Sequence, residues 1–222
     1  MKLMSGKSAV WMVAAASVAV LAFTASKALA ADLRVPAEGK GHLLHPVSTV
    51  PSEQGAVDFI TNMGDRGINF LGSQTLTQEQ KAAEFKELLE NSFDMGTIAR
   101  FSLGTYWNAA TPAQRDEYLK LFEKMIVKVY SKRFSDYNGQ KFEVQSARPD
   151  GAKDALVTSY IVPSDGQKVR VDWRVRNKGS YKIVDVVVEG VSMAMTQRSD
   201  FSSVIQRGGG NVDVLLDHLR QQ

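Results

Sequence analysis

The 222-residue sequence contains no cysteine and only three histidines. Without cysteine the chain can form no disulfide, no thiolate nucleophile and no zinc-thiolate site. The histidines, His42, His45 and His218, fall near the predicted ends of the chain, which excludes a Ser-His-Asp arrangement within the core. A phosphate-binding loop, a dinucleotide glycine pattern and a helical histidine pair are also missing. We therefore expect no metal site and no cofactor.

The N-terminus has the pattern of a secretory leader. Lys2 and Lys7 precede an apolar run over residues 9–23, and Ala28 and Ala30 supply the small side chains that signal peptidase requires. The run is too short and too rich in alanine for a membrane span, which needs about 20 strongly apolar residues. We predict a cleaved signal peptide over residues 1–30, a mature chain that begins at Ala31, and a periplasmic location.

Without this leader, the chain has no excess of positive or negative charge. The whole chain has 27 basic and 24 acidic residues. The leader contains Lys2, Lys7 and Lys27 but no acid, so the predicted mature chain is neutral. Nucleic-acid and anionic-membrane binding usually require a surplus of clustered cations. Net charge therefore indicates no nucleic-acid partner.

The pattern of prolines, glycines and apolar residues divides the remaining chain into three parts. Residues 31–51 contain three of the six prolines and little periodicity, which predicts an extended lead-in, and His42 and His45 there are interpreted as a solvated pair. Residues 52–207 are long enough for one domain with a full core. Residues 208–222 form a predicted C-terminal helix behind three glycines, and its apolar face should dock or act as a mobile flap.

Four helices are predicted before the strands. They begin at the capping residues Ser52, Thr77, Asp94 and Thr111. The first runs to about Leu71 and carries Gly64 and Gly67 on its inner face, where a close helix contact or a bend would explain them. The last has a continuous apolar stripe from Tyr118 to Phe134. These helices should cover one face of a sheet.

Beyond residue 141 the apolar period changes from helical to two. Val169, Val171, Trp173 and Val175 alternate with charged residues, which is typical of a strand with one buried face. Residues 183–188 are the richest in β-branched side chains and are interpreted as a central strand. Short turns connect four strands, so we predict an α+β fold with N-terminal helices packed on a C-terminal four-stranded antiparallel meander.

The residues alone leave three functions open. The first is ligand binding in a pocket. The inward-facing apolar surface forms either the wall of such a pocket or an ordinary core, and periodicity does not separate the two. Asp185 and Glu189, placed on one face of the last strand, would suit a secreted hydrolase with a glycosidase-like acid pair, but structural ion pairs are commoner. The third function is a structural adaptor with a solid core that binds a protein through residues 191–195.

Three motifs resemble one known family. They are residues 185–206, DVVVEGVSMAMTQRSDFSSVIQ, residues 101–107, FSLGTYW, and residues 111–115, TPAQR. Together they resemble the MlaC family, also called the toluene-tolerance family, and the resemblance extends over roughly residues 52–207. Members of that family are soluble periplasmic proteins that carry lipids for an ABC transporter.

The resemblance implies a carrier without catalytic activity that holds phospholipid acyl chains in an apolar pocket between helices and sheet. It would shuttle phospholipid between the outer membrane, with a lipoprotein partner, and an inner-membrane ABC transporter with an MCE-type ring. A hopanoid or another lipid is the alternative cargo. The expected pocket lining is Ile98, Phe101, Leu103, Tyr106, Trp107, Phe122, Ile126, Tyr130, Val169, Val171, Trp173, Val188, Val191, Met193 and Met195.

Overall fold

The computed structural model describes residues 51–164 and 166–222. The α-helices in this part of the chain are α1 Glu53–Gly72, α2 Gln78–Ser92, α3 Met95–Leu103, α4 Tyr106–Ala109, α5 Pro112–Ser131, α6 Met193–Arg207 and α7 Val212–Gln221, and a short 3₁₀ helix spans Phe134–Asp136. The strands are β1 Lys141–Asp150, β2 Asp154–Val162, β3 Val169–Asn177, β4 Tyr181–Val188 and β5 Val191–Ser192. The predicted leader, the predicted lead-in up to residue 50, and His42 and His45 lie outside the described residues.

Side-chain caps explain where the helices begin. Ser52 Oγ accepts the N–H of Gly55 at 3.2 Å, and Thr77 and Thr111 each form a complete capping box with the glutamine three residues on. Asp94 caps α3 by accepting the N–H of Thr97 at 3.0 Å. These contacts satisfy backbone donors that the first turn of a helix leaves free. All four predicted caps are confirmed.

Asp94 also ties α3 to the sheet. Its Oδ2 lies 2.6 Å from Nζ of Lys178, which belongs to the turn between β3 and β4. Partial burial raises the pKa of Asp94, but hydrogen bonds from Lys178 and Thr97 outweigh it, so the pKa ends below its ordinary value. The carboxylate therefore stays ionised and holds this helix start against the turn.

The sheet is antiparallel throughout, with strand order β1-β2-β3-β4-β5. Val157 of β2 lies opposite Trp173 of β3, and Trp173 lies opposite Val186 of β4, so one face carries these apolar side chains. β1 is the strand at one edge of the sheet, has a register shift between Val144 and Ser146, and contains Pro149. The predicted α+β fold is confirmed, with a two-residue fifth strand in addition to the predicted four.

The prediction that residues 183–188 form the central strand is wrong. β4 lies between β3 and the two-residue β5, so it is next to the end of the sheet. Ile183, Val184 and Val188 of this strand are buried, and α2, α3 and α6 pack against it. Helix cover, rather than a central position in the sheet, explains the composition of this strand.

The two larger groups of buried residues lie among the helices and between helices and sheet. The helical cluster joins α3, α5, α6 and α7, and includes Tyr118, Phe122, Phe201, Ile205 and Leu215. The sheet cluster joins α1 and α2 to the sheet, and includes Ile60, Phe70, Leu88, Val157 and Ile183. A side chain of this size, when fully buried, stabilises the fold by about 1.5–3 kcal/mol. The two clusters lie on either side of the space described below.

α7 is part of the helical cluster. Val212, Leu215, Leu216 and Leu219 are all buried, and Gln114 of α5 donates a hydrogen bond to Asp213 at 2.7 Å. Of the two alternatives that the sequence left open for this helix, the structure shows docking.

The opposite face of the sheet is polar. Arg176 of β3 lies 2.6 Å from Asp154 on the neighbouring strand β2, and Arg174 of β3 reaches past β2 to lie 2.7 Å from Asp150 of β1. Cross-strand pairs of opposite charge stabilise a sheet modestly and keep this face hydrated. Among the described residues, no helix is long and apolar enough to cross a membrane.

Candidate functional site

An apolar cavity of about 320 Å³ lies between the helices and the sheet. Met63, Gly67 and Leu71 of α1 form one side, and Leu88 of α2 and Phe122 of α5 form others. The sheet contributes Phe142, Trp173 and Val186, and α3 and the start of α6 contribute Ile98, Met193 and Ala194. Nearly all of these side chains lack polar atoms, so the cavity suits an apolar ligand.

Two glycines of α1 shape this wall in different ways. A Cβ on Gly64 would lie 2.2 Å from the ring of Phe142, so Gly64 permits the close approach of α1 to β1. A Cβ on Gly67 would meet nothing within 4 Å. Gly67 therefore borders open space, although glycine inside a helix is unfavourable by roughly 1 kcal/mol relative to alanine.

Trp173 forms the floor of the cavity at the sheet. Its indole N–H donates to Ser159 Oγ at 2.8 Å, and Ser159 in turn donates to the carbonyl of Val171 at 3.0 Å. The ring of Phe142 meets the indole edge-on, with centroids 6.0 Å apart. These contacts satisfy the one polar atom of the indole, so its remaining surface is available to an apolar ligand.

Polar side chains gather at one end of the cavity. Lys141 is the exposed member of the lining, which places the opening beside it, with Arg133, Tyr137 and Gln140 nearby in the same wall. Within residues 51–164 and 166–222, neither Arg133 nor Lys141 forms an ion pair. This end can therefore accept a negatively charged group.

The other end contains Ser102 and Asp185. Ser102 is fully buried, and its hydroxyl has no hydrogen-bond partner among the described residues. Asp185 accepts hydrogen bonds from Ser192 Oγ at 2.7 Å and from the N–H of Ala194 at 3.1 Å, and Arg174 lies 3.4 Å away. Asp185 thus anchors the turn between β4 and α6.

The hydrolase interpretation placed Asp185 and Glu189 on one face of a strand, and that placement is wrong. β4 ends at Val188, and Glu189 has φ of 49° in the turn that follows. Its carboxylate accepts the backbone N–H of Arg170. Both carboxylates therefore have structural partners, and they do not face one space as an acid pair would require.

The structure places the predicted lining residues in four locations. Those at the cavity are Ile98, Phe122, Ile126, Tyr130, Trp173 and Met193. Val169, Val171 and Val188 pack together on the sheet against the lining residues Trp173, Val186 and Met193 but do not line the cavity themselves. Leu103, Tyr106 and Trp107 belong to or pack on the helical cluster, and Phe101, Val191 and Met195 are exposed.

The segment over residues 101–107 has a structural role. Gly104 has φ of 60°, and a Cβ there would lie 2.8 Å from Nε of Arg198. The guanidinium of Arg198 lies 5.3 Å from the ring centre of Phe101, and Trp107 lies under the guanidinium groups of Arg100 and Arg115. Cation–π contacts thus join α3, α4, α5 and α6 outside the cavity.

Sequence reasoning missed the contribution of α1 and α2 to the cavity. Met63, Gly67, Ile68, Phe85 and Leu88 all line it. The signal available was the pair of glycines on the inner face of α1, because small residues there leave room beside a helix. The cationic end, with Arg133 and Lys141, had no sequence signal.

Other features of the described surface suit an apolar ligand less well. A depression of about 540 Å³ between α1 and α2 is lined largely by polar residues, including Asn62, Asp65 and Arg66. No group of three or more potential metal ligands occurs among the described residues. The apolar cavity is therefore the candidate site.

Residues 63–221 match the family model described as MlaC protein. The toluene tolerance protein ttg2D of Pseudomonas putida is 27% identical over 113 residues, which are 50% of this chain and 53% of that protein. The intermembrane phospholipid transport system binding protein MlaC of Haemophilus influenzae is 26% identical over 124 residues, 54% of this chain and 57% of that protein. The chain thus spans just over half the length of these relatives.

A solved structure has a similar fold. It is the phospholipid-binding protein from Ralstonia solanacearum in complex with a phospholipid, with a TM-score of 0.64 and 21% sequence identity. The similarity covers 75% of this chain and 95% of that one.

Proposed function

The chain belongs to the MlaC family, and on that premise we propose that it is a periplasmic carrier that binds phospholipid acyl chains in the apolar cavity. It shuttles the lipid between an outer-membrane lipoprotein partner and an inner-membrane ABC transporter with an MCE-type ring. The observation that carries the proposal is the cavity itself, since an apolar space between helices and sheet suits a hydrocarbon chain.

Transfer free energies explain why such a carrier is needed. Two chains of about 16 carbons, at about 0.8 kcal/mol per methylene, would cost on the order of 25 kcal/mol to expose to water. Lipid therefore does not cross an aqueous space as a free monomer at a useful rate. A dry cavity replaces one apolar surrounding with another, so exchange is nearly neutral in free energy, and the partners set its direction.

The opening beside Lys141 suits the head group. Arg133 and Lys141 line this end and form no ion pair within the described part of the chain. A phosphate placed between two such cations would gain charge-assisted hydrogen bonds, which are stronger than neutral ones. The acyl chain would then extend from this end towards Ile98 and Met193.

Tryptophan fluorescence tests the proposal. The three tryptophans are Trp11, in the predicted leader, Trp107, outside the cavity, and Trp173, in its wall. In a mature chain carrying Trp107→Phe, all tryptophan emission comes from Trp173. We expect phospholipid with brominated acyl chains to quench this emission, because bromine quenches on close contact.

The matched control is the mature chain with Trp173→Phe, in which Trp107 is the remaining tryptophan. We expect its emission to change little when the same lipid is added. Equal quenching of both variants would place the lipid elsewhere. Absence of co-purified phospholipid from native mass spectra of the wild-type protein would exclude the carrier function.

A further inference from the structure

A group of exposed apolar and arginine side chains lies where α3 packs against α6, outside the cavity. In the described part of the chain, the large hydrophobic side chains that are exposed are Phe101, Val191, Met195 and Val214. Three of them belong to α3 or to residues 191–195, where α6 begins, and Met195 is 55% exposed. Single apolar side chains are ordinary on a protein surface, but a group of them with a polar rim marks a site of interaction.

Arg198 joins the apolar side chains of α3 and α6 into one surface. It lies three residues after Met195 on α6, so the two side chains are neighbours on the helix. Its guanidinium lies 5.3 Å from the ring centre of Phe101. A Cβ on Gly104 would lie 2.8 Å from Nε of Arg198. The left-handed turn at Gly104, with φ of 60°, therefore leaves room for this arginine beside Phe101.

A second pair of arginine and aromatic side chains continues the surface beyond Gly104. The indole ring centre of Trp107 lies 5.8 Å from the guanidinium of Arg100 and 5.4 Å from that of Arg115. Arginine, aromatic residues and methionine are enriched in protein–protein interfaces, whereas lysine is depleted there. The name α3–α6 patch is used below for Arg100, Phe101, Trp107, Met195 and Arg198.

The α3–α6 patch carries positive charge that has no counter-charge nearby. Within residues 51–164 and 166–222, neither Arg100 nor Arg198 forms an ion pair or a side-chain hydrogen bond. The side chain of Arg115 donates to the backbone carbonyls of Trp107 and Asn108. A guanidinium that stacks on an aromatic ring keeps the N–H groups of its edge free, and these can bind a carboxylate through two parallel hydrogen bonds. The patch therefore suits an acidic partner.

The contact between Arg198 and Phe101 favours a protein partner over a membrane surface. Proteins that lie on a membrane insert aromatic and aliphatic side chains among the lipids. Here the guanidinium of Arg198 lies over the ring of Phe101, so insertion of the ring would take a charge with it. A charged group is unfavourable in hydrocarbon. A protein surface can instead meet the apolar side chains with its own and the arginines with carboxylates.

The α3–α6 patch and the cavity share two helices. On α3, Ile98 lines the cavity and Phe101 lies in the patch. On α6, Met193 lines the cavity, and Met195 and Arg198 lie in the patch. A partner bound to the patch would therefore contact the two helices that form this part of the cavity wall.

We propose that the α3–α6 patch is the surface through which the protein docks on a protein partner that presents carboxylates around an apolar contact. The carboxylates pair with Arg100 and Arg198, and an apolar side chain of the partner meets Phe101 and Met195. This inference rests on the proposed carrier function, because a carrier must dock where it receives or delivers its cargo. The two candidate partners are the outer-membrane lipoprotein and the MCE-type ring protein.

Binding of the mature protein to each purified candidate partner from the same bacterium, measured by surface plasmon resonance, tests the inference. Met195→Glu places a negative charge in the patch, and the core stays intact because Met195 is exposed. We expect this variant to bind at least one partner roughly tenfold more weakly or worse, since like charges repel across an interface. Met195→Lys loses the same apolar contact but adds a positive charge, so it should bind more tightly than Met195→Glu.

Arg100→Glu is a second patch variant, and Arg148→Glu on β1 is its matched control. Both arginines are exposed and the change of charge is the same. We expect Arg100→Glu to weaken binding as strongly as Met195→Glu does, and Arg148→Glu to leave it unchanged. All of these variants should keep their co-purified phospholipid, because the substituted residues do not line the cavity.

Equal weakening by Arg100→Glu and Arg148→Glu, or weakening by neither, would overturn the patch as a docking surface. So would a wild-type protein that binds neither partner. Wild-type binding to vesicles of anionic phospholipid that Met195→Glu abolishes would overturn the protein partner in favour of a membrane. A wild-type protein without co-purified phospholipid would instead contradict the carrier function, and the affinities for the two proteins would still decide whether the patch docks them.

Discussion

Gly67 shows how one residue keeps the cavity open. It lies inside α1, where alanine would stabilise the helix by roughly 1 kcal/mol, yet the position of its missing Cβ borders empty space. We expect Gly67→Leu to fold at least as stably as the wild type and to carry much less phospholipid, because the new side chain occupies the cavity. Melting temperature and extracted lipid, measured on the same sample, check this.

The control for this variant is Gly67→Ala, which gains the same helix propensity with one methyl group. It should keep most of its lipid. Gly64→Ala should instead lose stability, since its Cβ would lie 2.2 Å from the ring of Phe142. If Gly67→Leu carried a full complement of lipid, the cavity would not be the binding site.

Individual residues also show what the sequence could and could not predict. Trp173 was assigned to the site from its alternating strand face, and it lines the cavity. Val171 shares that face and was assigned for the same reason, yet it is fully buried against Val169 and Val188. Periodicity of two identifies the covered face of a strand. It does not indicate where along the strand the helices stand away from it.

At the scale of elements, α7 is a packed part of the domain. Leu215 is fully buried in the helical cluster, while Val214 is 36% exposed. We expect Leu215→Ala to lower the free energy of unfolding by about 2–5 kcal/mol, the range for a leucine removed from a core. Val214→Ala should cost much less. Urea denaturation of the two variants makes the comparison.

Equal and small losses in both variants would mean that α7 leaves the domain in solution. The sequence predicted the helix and its four apolar residues but not its position. Three glycines followed by a short apolar face fit a docked helix and a flap equally well, because neither local pattern includes the surface of α5. The capping residues of α1, α2, α3 and α5 were predictable, since each cap depends on residues three positions apart.

For the whole molecule, we expect bound lipid to increase the stability of the folded state. A ligand that binds only the folded state adds about 2.7 kcal/mol of stability at 100 times its dissociation constant. We expect the melting temperature of delipidated wild-type protein to rise with the concentration of added lysophospholipid. In Gly67→Leu the rise should be largely absent. Calorimetry at several lipid concentrations measures both.

An unchanged melting temperature in the wild type at saturating lipid would show that lipid binds the folded and unfolded chains alike, contrary to a cavity site. At this scale the α+β class and the antiparallel order of the strands were predictable, because period and turn residues determine them. The cavity was not predictable in the same way. It arises from Gly67 in α1 and from residues of α2 and α5 that are distant in sequence.

The edge strand β1 affects whether the protein aggregates at high concentration. A free strand edge can pair with the edge of another chain and begin an aggregate. β1 departs from a regular edge in two places, at the register shift between Val144 and Ser146 and at Pro149, which has no N–H to donate. Two copies brought edge to edge could not form an uninterrupted ladder along β1, so the protein should remain dispersed at concentrations where a regular edge would begin fibres.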